Sequence, residues 1–185
     1  MDDSGILNLY FARSEQAIQE TDAKYGGYCY SIAYNILANQ EDSEESVSDT
    51  YLSAWNSIPP RKPNPLAPFL GKIVRNISID MWRRRGALKR GGGQMALALE
   101  ELQECVASGE NLEERYEQKE LIGQVRKFVA SLPELERRIF VCRYWYLEST
   151  VDVAKRFGFS EAKVSAMLHR IRGRLGKRLK QEEIG

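Results

Sequence analysis

Residues 149–175 read STVDVAKRFGFSEAKVSAMLHRIRGRL and predict a helix, a tight turn and a second, longer helix. Gly158 lies at the turn, where a glycine can adopt the left-handed conformation that ends many helices. Ser160 can cap the second helix, because its hydroxyl can accept a hydrogen bond from an unpaired backbone amide. The stretch therefore predicts a helix-turn-helix. Apolar residues at helical spacing form the predicted buried face of the second helix: Val164, Leu168, Ile171, Leu175 and Leu179.

The outward face of this second helix is suited to DNA. Its first part carries small or hydrogen-bonding side chains, which can enter a major groove about 12 Å wide. These residues are Glu161, Ala162, Lys163, Ser165, Ala166, His169 and Arg170. Farther along, cations are placed to meet phosphates, which give affinity without sequence information: Arg172, Arg174, Lys177, Arg178 and Lys180. A basic surface helix in a helical bundle is the alternative interpretation of the same pattern.

The upstream sequence also has the helical period, so the chain is predicted to be all-α. The first stripe, between Asp22 and Leu37, is Tyr25, Cys29, Ile32 and Ile36. A second helix is predicted to open at Asp42 as the cap, with Glu45 reaching back to it and with Ser43 and Ser46 away from the core. Its predicted buried residues are Val47, Tyr51, Ala54, Trp55 and Ile58. A third helix, predicted to start near Pro68, would bury Phe69, Ile73, Ile77 and Met81.

Two segments have the composition of loops. Pro59 and Pro60 end the second helix, and the prolines that follow predict an extended loop over residues 61–65. Gly86, the glycines at 91–93 and the acidic stretch that follows predict a flexible linker, in which Cys105 could be exposed.

Helical patterns resume after this linker. Residues 111–114 resemble a capping box, and the helix that follows would bury Leu121, Val125, Phe128 and Val129. Ser131 is predicted to cap the next helix, whose apolar residues are Leu135, Ile139, Cys142 and Tyr146.

The net charge of +1 conceals an alternation of charge along the chain. Residues 1–60 hold 10 acids and 2 bases, whereas residues 61–93 hold 1 acid and 9 bases. Residues 94–120 hold 8 acids and 2 bases, and residues 121–185 hold 7 acids and 14 bases. Two basic blocks separated by an acidic one indicate two separate contacts with a polyanion, because phosphate binding requires clustered Lys and Arg.

The sequence argues against an enzyme, a metal site and a bound cofactor. Glu44, Glu45 and Asp49 could be considered as metal ligands, but the single histidine leaves no Glu-x-x-His pair. The glycines at 91–93 lack the Lys and Ser or Thr of a phosphate-binding loop. The acidic start has no basic targeting segment and no apolar run is long enough to cross a membrane, so we expect a cytoplasmic protein without membrane insertion.

These motifs resemble those of bacterial RNA polymerase sigma factors of the small extracytoplasmic-function group. The acidic helix Asp42–Leu52, followed by Ala54-Trp55, is similar to the family's segment that docks on the clamp helices of core polymerase. The resemblance implies that Asp42, Glu45 and Asp49 bind core polymerase.

The third helix is similar to the family's promoter-melting segment, through Ile73-Val74-Arg75-Asn76 and the charged residues after it. That segment and the loop before it read the minus-ten element as a separated single strand. A basic groove with a pocket, formed by residues 61–65 beside Asn76, is consistent with such a role. The residues implied at the minus-ten element are Arg61, Lys62, Arg75, Asn76, Asp80, Arg83 and Arg84.

The C-terminal part resembles the family's reader of the duplex minus-thirty-five element. The similarity lies in Leu132-Pro133, Arg137 and Phe140 before the turn, and in residues 168–172 and Leu175 after it. The residues implied at this element are Ser160, Glu161, Lys163, Ser165, Ala166, His169, Arg170, Arg172 and Arg174.

The resemblance implies two small helical domains and a set of partners. Residues 1–90 would form a three-helix domain like sigma region 2, residues 91–120 the acidic flexible linker, and residues 121–185 a domain like sigma region 4. Implied partners are promoter DNA and core polymerase, contacted at its beta-prime clamp helices and beta flap. Many family members also have an anti-sigma partner. The alternative function is a stand-alone helix-turn-helix regulator that binds duplex DNA without polymerase.

Overall fold

The computed structural model describes residues 1–85, 93–105 and 116–183. The chain divides into two compact units, Met1–Gly93 and Gln94–Gly185. Every element of regular structure within the described residues is an α-helix, which confirms the all-α prediction. The glycines at 86, 91 and 92 and the capping pattern at 111–114 lie outside the described residues.

The first unit contains four described helices rather than the three predicted. They are α1 (Asp3–Phe11), α2 (Gln16–Leu37), α3 (Gln40–Ser57) and α4 (Leu66–Arg84). The additional helix, α1, is capped by Asp2, whose carboxylate accepts from Gly5 N at 2.8 Å, and it buries Ile6, Leu7 and Tyr10. Its apolar stripe covers little more than two turns, which is too short for periodicity alone to reveal.

Helices α2 and α3 bury most of the residues predicted for them. Cys29, Ile32 and Ile36 of α2 are buried, whereas Tyr25 is only half-buried. Val47, Tyr51 and Ala54 of α3 are buried as predicted, as is Ile58 directly after the helix, whereas Trp55 is half-exposed.

The start and the polar face of α3 differ from the prediction. Asn39, not Asp42, caps the helix: the Asn39 side chain accepts from the Asp42 amide at 2.9 Å. Ser43 and Ser46, expected on other faces, are fully buried. Burial costs them little, because each hydroxyl has a partner: Ser43 Oγ donates to Asn39 O at 2.5 Å, and Ser46 Oγ lies 2.8 Å from the Oγ of Ser78 on α4.

The buried face of α4 is rotated from the predicted one. The helix begins at Leu66 and buries Leu66, Leu70, Val74 and Ser78, while Phe69, Ile73, Ile77 and Met81 are only half-buried. Small residues cause this rotation. Gly71 is buried against α2, where an added Cβ would lie 2.3 Å from the hydroxyl of Tyr28, so a larger residue would require the Tyr28 side chain to move.

The second unit contains α5 (Gln94–Gln103), α6 (Tyr116–Ser131), α7 (Glu134–Tyr144), α8 (Thr150–Phe157) and α9 (Glu161–Glu183). Helix α9 packs against α6, α7 and α8. Helix α5 lies within the stretch expected to be linker, and Met95, Ala98 and Cys105 are buried. The expectation of an exposed Cys105 is therefore wrong, because that segment is folded against the unit.

The helix-turn-helix forms as predicted. Gly158 ends α8 with φ 69°, and Ser160 Oγ accepts from the Lys163 amide at 3.2 Å at the start of α9. All five residues of the predicted inner stripe of α9 are buried.

Helix α7 departs from its prediction at the cap and on one face. Ser131 does not cap α7; its hydroxyl donates to Phe128 O at 2.6 Å, and Pro133 occupies the cap position. Leu135 is 41% exposed, whereas Ile139 is fully buried. The buried face instead continues through Phe140, Arg143 and Tyr144, because ion pairing allows an arginine to occupy a core position.

Candidate nucleic-acid interface

The outer face of α9 is the exposed face predicted for DNA contact. Glu161, Ala162, Lys163, Ser165, Ala166, His169 and Arg170 are all exposed, as is the cap Ser160. Two contacts with preceding residues, one from α8 and one from the turn, fix the side chains at the start of this face. Thr150 Oγ1, at the start of α8, donates to Glu161 Oε1 at 2.8 Å, and the Lys163 ammonium lies 3.8 Å from the centroid of the Phe159 ring.

The cations farther along α9 are not equivalent. Lys177 and Lys180 are exposed, whereas Arg174 is ion-paired with Glu136 of α7 and remains 47% exposed. Arg172 is different: its side chain is only 13% exposed, and its Nη1 donates to the hydroxyl of Tyr144 at 2.9 Å. In this conformation Arg172 is directed into its own unit.

A buried ion-pair network explains the orientation of Arg172. Arg143, only 1% exposed, donates to both carboxylate oxygens of Glu101, from Nη2 at 2.8 Å and from Nε at 3.3 Å. Its Nη1 also donates to Gln94 Oε1 at 2.6 Å and to Glu148 O at 2.8 Å. Tyr144 donates to Glu101 Oε2 at 2.8 Å.

Sequence reasoning missed this network, because its acid lies in a segment with the composition of a linker. Burial alone would raise the pKa of Glu101, but the hydrogen bonds from Arg143 and Tyr144 outweigh burial and lower that pKa below its ordinary value. Glu101 is therefore held as a carboxylate. The one available signal was Arg143, which lies four residues after Ile139 on the apolar face of α7.

The first unit exposes a second group of cations at α4 and the loop before it. Arg61 and Lys62 are exposed in the loop, and Asn76, Arg83 and Arg84 are exposed on α4. Asp80 is exposed and lies 3.7 Å from Arg83. Arg75 is half-buried, and burial lowers the pKa of its guanidinium.

An acidic surface lies on α3 of the same unit. Glu45 and Asp49 are exposed, and Leu52, which follows them on the same helical face, is 58% exposed. The sequence reasoning did not single out Leu52. Asp42 is largely covered, with a side chain 13% exposed that forms an ion pair with Arg85. The three predicted core-binding acids are thus two exposed carboxylates and one that is already paired.

Metal binding and membrane insertion find no support in the described part of the chain. Within residues 1–85, 93–105 and 116–183, no group of three or more His, Cys, Asp or Glu could hold a metal ion. No described helix has the length and apolarity to cross a membrane.

Comparison with known proteins connects both units to one family. Residues 23–88 match the family model of sigma-70 region 2, and residues 122–175 match that of sigma-70 region 4. A curated relative, the ECF RNA polymerase sigma factor SigE of Mycolicibacterium smegmatis, is 26% identical over 147 residues. The match covers 79% of this chain and 55% of that relative, so the chain spans about half of the relative's length.

This chain is also similar to one solved structure, that of CnrH in complex with the cytosolic domain of CnrY. The alignment covers 97% of this chain and 97% of the chain in that structure. The identity is 18% and the TM-score 0.44.

Proposed function

Because the chain belongs to the sigma-70 family, in its extracytoplasmic-function group, we propose that it binds core RNA polymerase and directs initiation at promoters with two recognition elements. The observation that carries this proposal is the presence of both regions, in the family's order, each with an exposed charged surface. Members of this family are not enzymes, so the chain's role is recognition rather than chemistry. Such a protein works in the cytoplasm, where polymerase and promoter DNA are found.

The acidic surface of α3 is the proposed docking site for the beta-prime clamp helices of core polymerase. Glu45 and Asp49 present carboxylates to solvent, and Leu52 adds an apolar contact beside them. An interface with charges around an apolar centre is typical of specific protein association. Asp42 acts less directly, since its carboxylate is engaged by Arg85. A contact of the second unit with the beta flap and an anti-sigma partner remain predictions.

Helix α4 and residues 61–65 are the proposed minus-ten reader. Exposed Arg61, Lys62, Arg83 and Arg84 supply the positive potential that single-strand capture requires. Asn76 is exposed on the same helix and can offer hydrogen bonds to an unpaired base.

Helix α9 is the proposed minus-thirty-five reader. Its exposed first part carries Lys163, His169 and Arg170, the residue types that hydrogen-bond base edges and phosphates in a major groove.

The stand-alone regulator is the weaker explanation. It leaves the match of residues 23–88 to sigma-70 region 2 without a role, because such a regulator needs no polymerase contact.

The proposed docking site is tested by reversing one charge. Asp49→Lys should weaken the affinity of the purified chain for core polymerase by at least about a hundredfold, because a like charge at an interface costs several kcal/mol. The loss is measured by titration and seen as failure to co-elute. Glu15→Lys is the matched control, since it reverses an exposed acid elsewhere in the same unit. Circular dichroism of both variants checks the fold. If Asp49→Lys binds core polymerase as well as Glu15→Lys does, the docking assignment is wrong.

A further inference from the structure

Residues 94–105, here called the acidic strap, fold against α9 from within the second unit. Cys105 is buried and its Sγ donates to the carbonyl oxygen of Arg172 at 3.5 Å. The main chain of Cys105 passes close to Gly176, where an added Cβ would lie 3.5 Å from Cys105 O. The ion pair between Glu101 and Arg143 anchors the middle of the strap.

The carboxylates of the strap stand around Arg172. Glu101 Oε2 lies 3.5 Å from Arg172 Nη1, and Glu104 Oε2 lies 3.9 Å from Arg172 Nε. Arg172 Nε is buried and has no hydrogen-bond partner. The guanidinium is therefore surrounded by negative charge without being fully hydrogen-bonded by it.

This arrangement places acids where a phosphate would otherwise bind. Arg172 lies two residues after the exposed Arg170 on α9. Its side chain is long enough to extend from the surface of the unit into solvent when its acidic partners are withdrawn. A phosphate can form a bidentate, charge-assisted pair with a guanidinium, which the looser contacts at 3.5 and 3.9 Å do not achieve.

We propose that the acidic strap competes with the DNA backbone for Arg172, so that α9 makes this phosphate contact only after the strap is released. This inference rests on the proposed function of α9 as a duplex reader. Duplex DNA alone does not release the strap, because release would leave Arg143 buried without its counter-charge, so the unchanged chain binds duplex without the Arg172 contact. The strap is thus an intramolecular acidic ligand that restrains the second unit in the free protein.

Docking of the strap is measured by the reactivity of Cys105. Burial raises the pKa of its thiol, so alkylation should be slow in the native full-length chain. Gly176→Leu adds a side chain against the main chain of Cys105 and should accelerate alkylation at least about tenfold. Gly123→Leu, on α6, is the matched control, because an added Cβ at Gly123 meets nothing within 4 Å and Gly123 does not line the pocket that Cys105 and Gly176 share. Peptide mass mapping follows Cys105, with buried Cys29 of the first unit as the internal reference.

Glu101→Gln is a second way to loosen the strap, through its anchor rather than its end. If neither Gly176→Leu nor Glu101→Gln accelerates alkylation of Cys105, these contacts do not hold the strap and the inference is wrong.

Competition for Arg172 is measured by salt-dependent binding to a labelled duplex DNA of mixed sequence. In the otherwise unchanged chain, Arg172→Ala should leave the slope of log affinity against log salt unaltered. When Arg172→Ala is combined with Gly176→Leu, the magnitude of that slope should fall by about 0.9 relative to Gly176→Leu alone, the value of one lost phosphate contact. A reduction as large in the unchanged chain would show that Arg172 contacts phosphate without prior loosening of the strap. That result would overturn this inference but leave the proposed duplex-reading function standing. Absence of duplex binding by every variant would overturn the proposed duplex-reading function as well.

Discussion

Arg143 is the one charged side chain among the described residues that is almost completely buried, and Glu101 makes that burial tolerable. A buried arginine without an acid would lose its hydration and gain little in return. Here two oxygens of Glu101, the side chain of Gln94 and the Glu148 carbonyl together accept its hydrogen bonds. The stability of the second unit therefore depends on an acid from the segment that composition alone assigns to a linker.

We expect Glu101→Gln to destabilise the second unit by about 3 kcal/mol, because it leaves Arg143 buried without its counter-charge. Hydrogen exchange of the α7 amides in the full chain reports this free energy of opening. Glu100→Gln, which changes an exposed neighbour by the same charge, should stay within about 0.5 kcal/mol. Equal protection in the two variants would mean that the pair contributes nothing to stability.

Asp3 plays a comparable role in the first unit, where it joins three helices. Its carboxylate accepts from Lys24 Nζ at 2.7 Å, from the Tyr25 hydroxyl at 2.5 Å and from the Leu66 amide at 3.0 Å. The hydrogen bonds from Lys24 and Tyr25 are the main reason that the pKa of Asp3 falls from 3.8 to about 2. The ionised form thus links α1, α2 and α4.

Replacing Asp3 should reveal this link through pH. Because its folded pKa is depressed, the carboxylate stabilises the fold above pH 3.8 and loses that effect as pH falls through about 2. Asp3→Asn should therefore cost roughly 2 kcal/mol at neutral pH and much less near pH 2. Thermal unfolding by circular dichroism measures the difference, with Asp49→Asn, which neutralises an exposed acid of the same unit, as the control. A cost independent of pH would contradict the assigned contacts.

Helix α9 was predictable in detail, whereas α4 and α1 were not, and packing explains the difference. The inner stripe of α9 consists of large apolar residues, so periodicity alone gives its orientation. The buried face of α4 includes Gly71 and Ser78, which hydrophobicity does not mark, so its predicted face was rotated. The orientation of α4 depends on how closely α2 and α3 approach it, and a single segment does not contain that information.

Mutations in α9 should distinguish residues that contact bases from residues that contact phosphates. Lys163→Ala and Arg170→Ala should each cost on the order of 1 to 3 kcal/mol and relax the preference at one base position, if these exposed side chains reach base edges. Arg178→Ala should weaken binding to all sequences alike. Affinities for a panel of single-base variants of the duplex element measure both effects. Uniform losses from all three changes would assign Lys163 and Arg170 to phosphates instead.

The two units together account for the alternation of charge along the chain. The acidic first block contains the exposed acids of α3, the first basic block contains α4, and the last contains α9. This much of the candidate site followed from the sequence, because exposed charged residues at helical spacing indicate a face directly. The covering of Arg172 did not follow, since Arg172 lies beside the buried Ile171 and its direction depends on Glu101, far upstream.

We propose above all that this chain gives core RNA polymerase the ability to start at particular promoters. The most direct measurement maps transcript 5′ ends made by purified core polymerase on genomic DNA, with and without the chain. We expect new, discrete start sites that share two upstream elements, and their loss with Asp49→Lys but not with Glu15→Lys. Stable binding of the chain to DNA with no association with core polymerase, and no new start sites, would contradict the account.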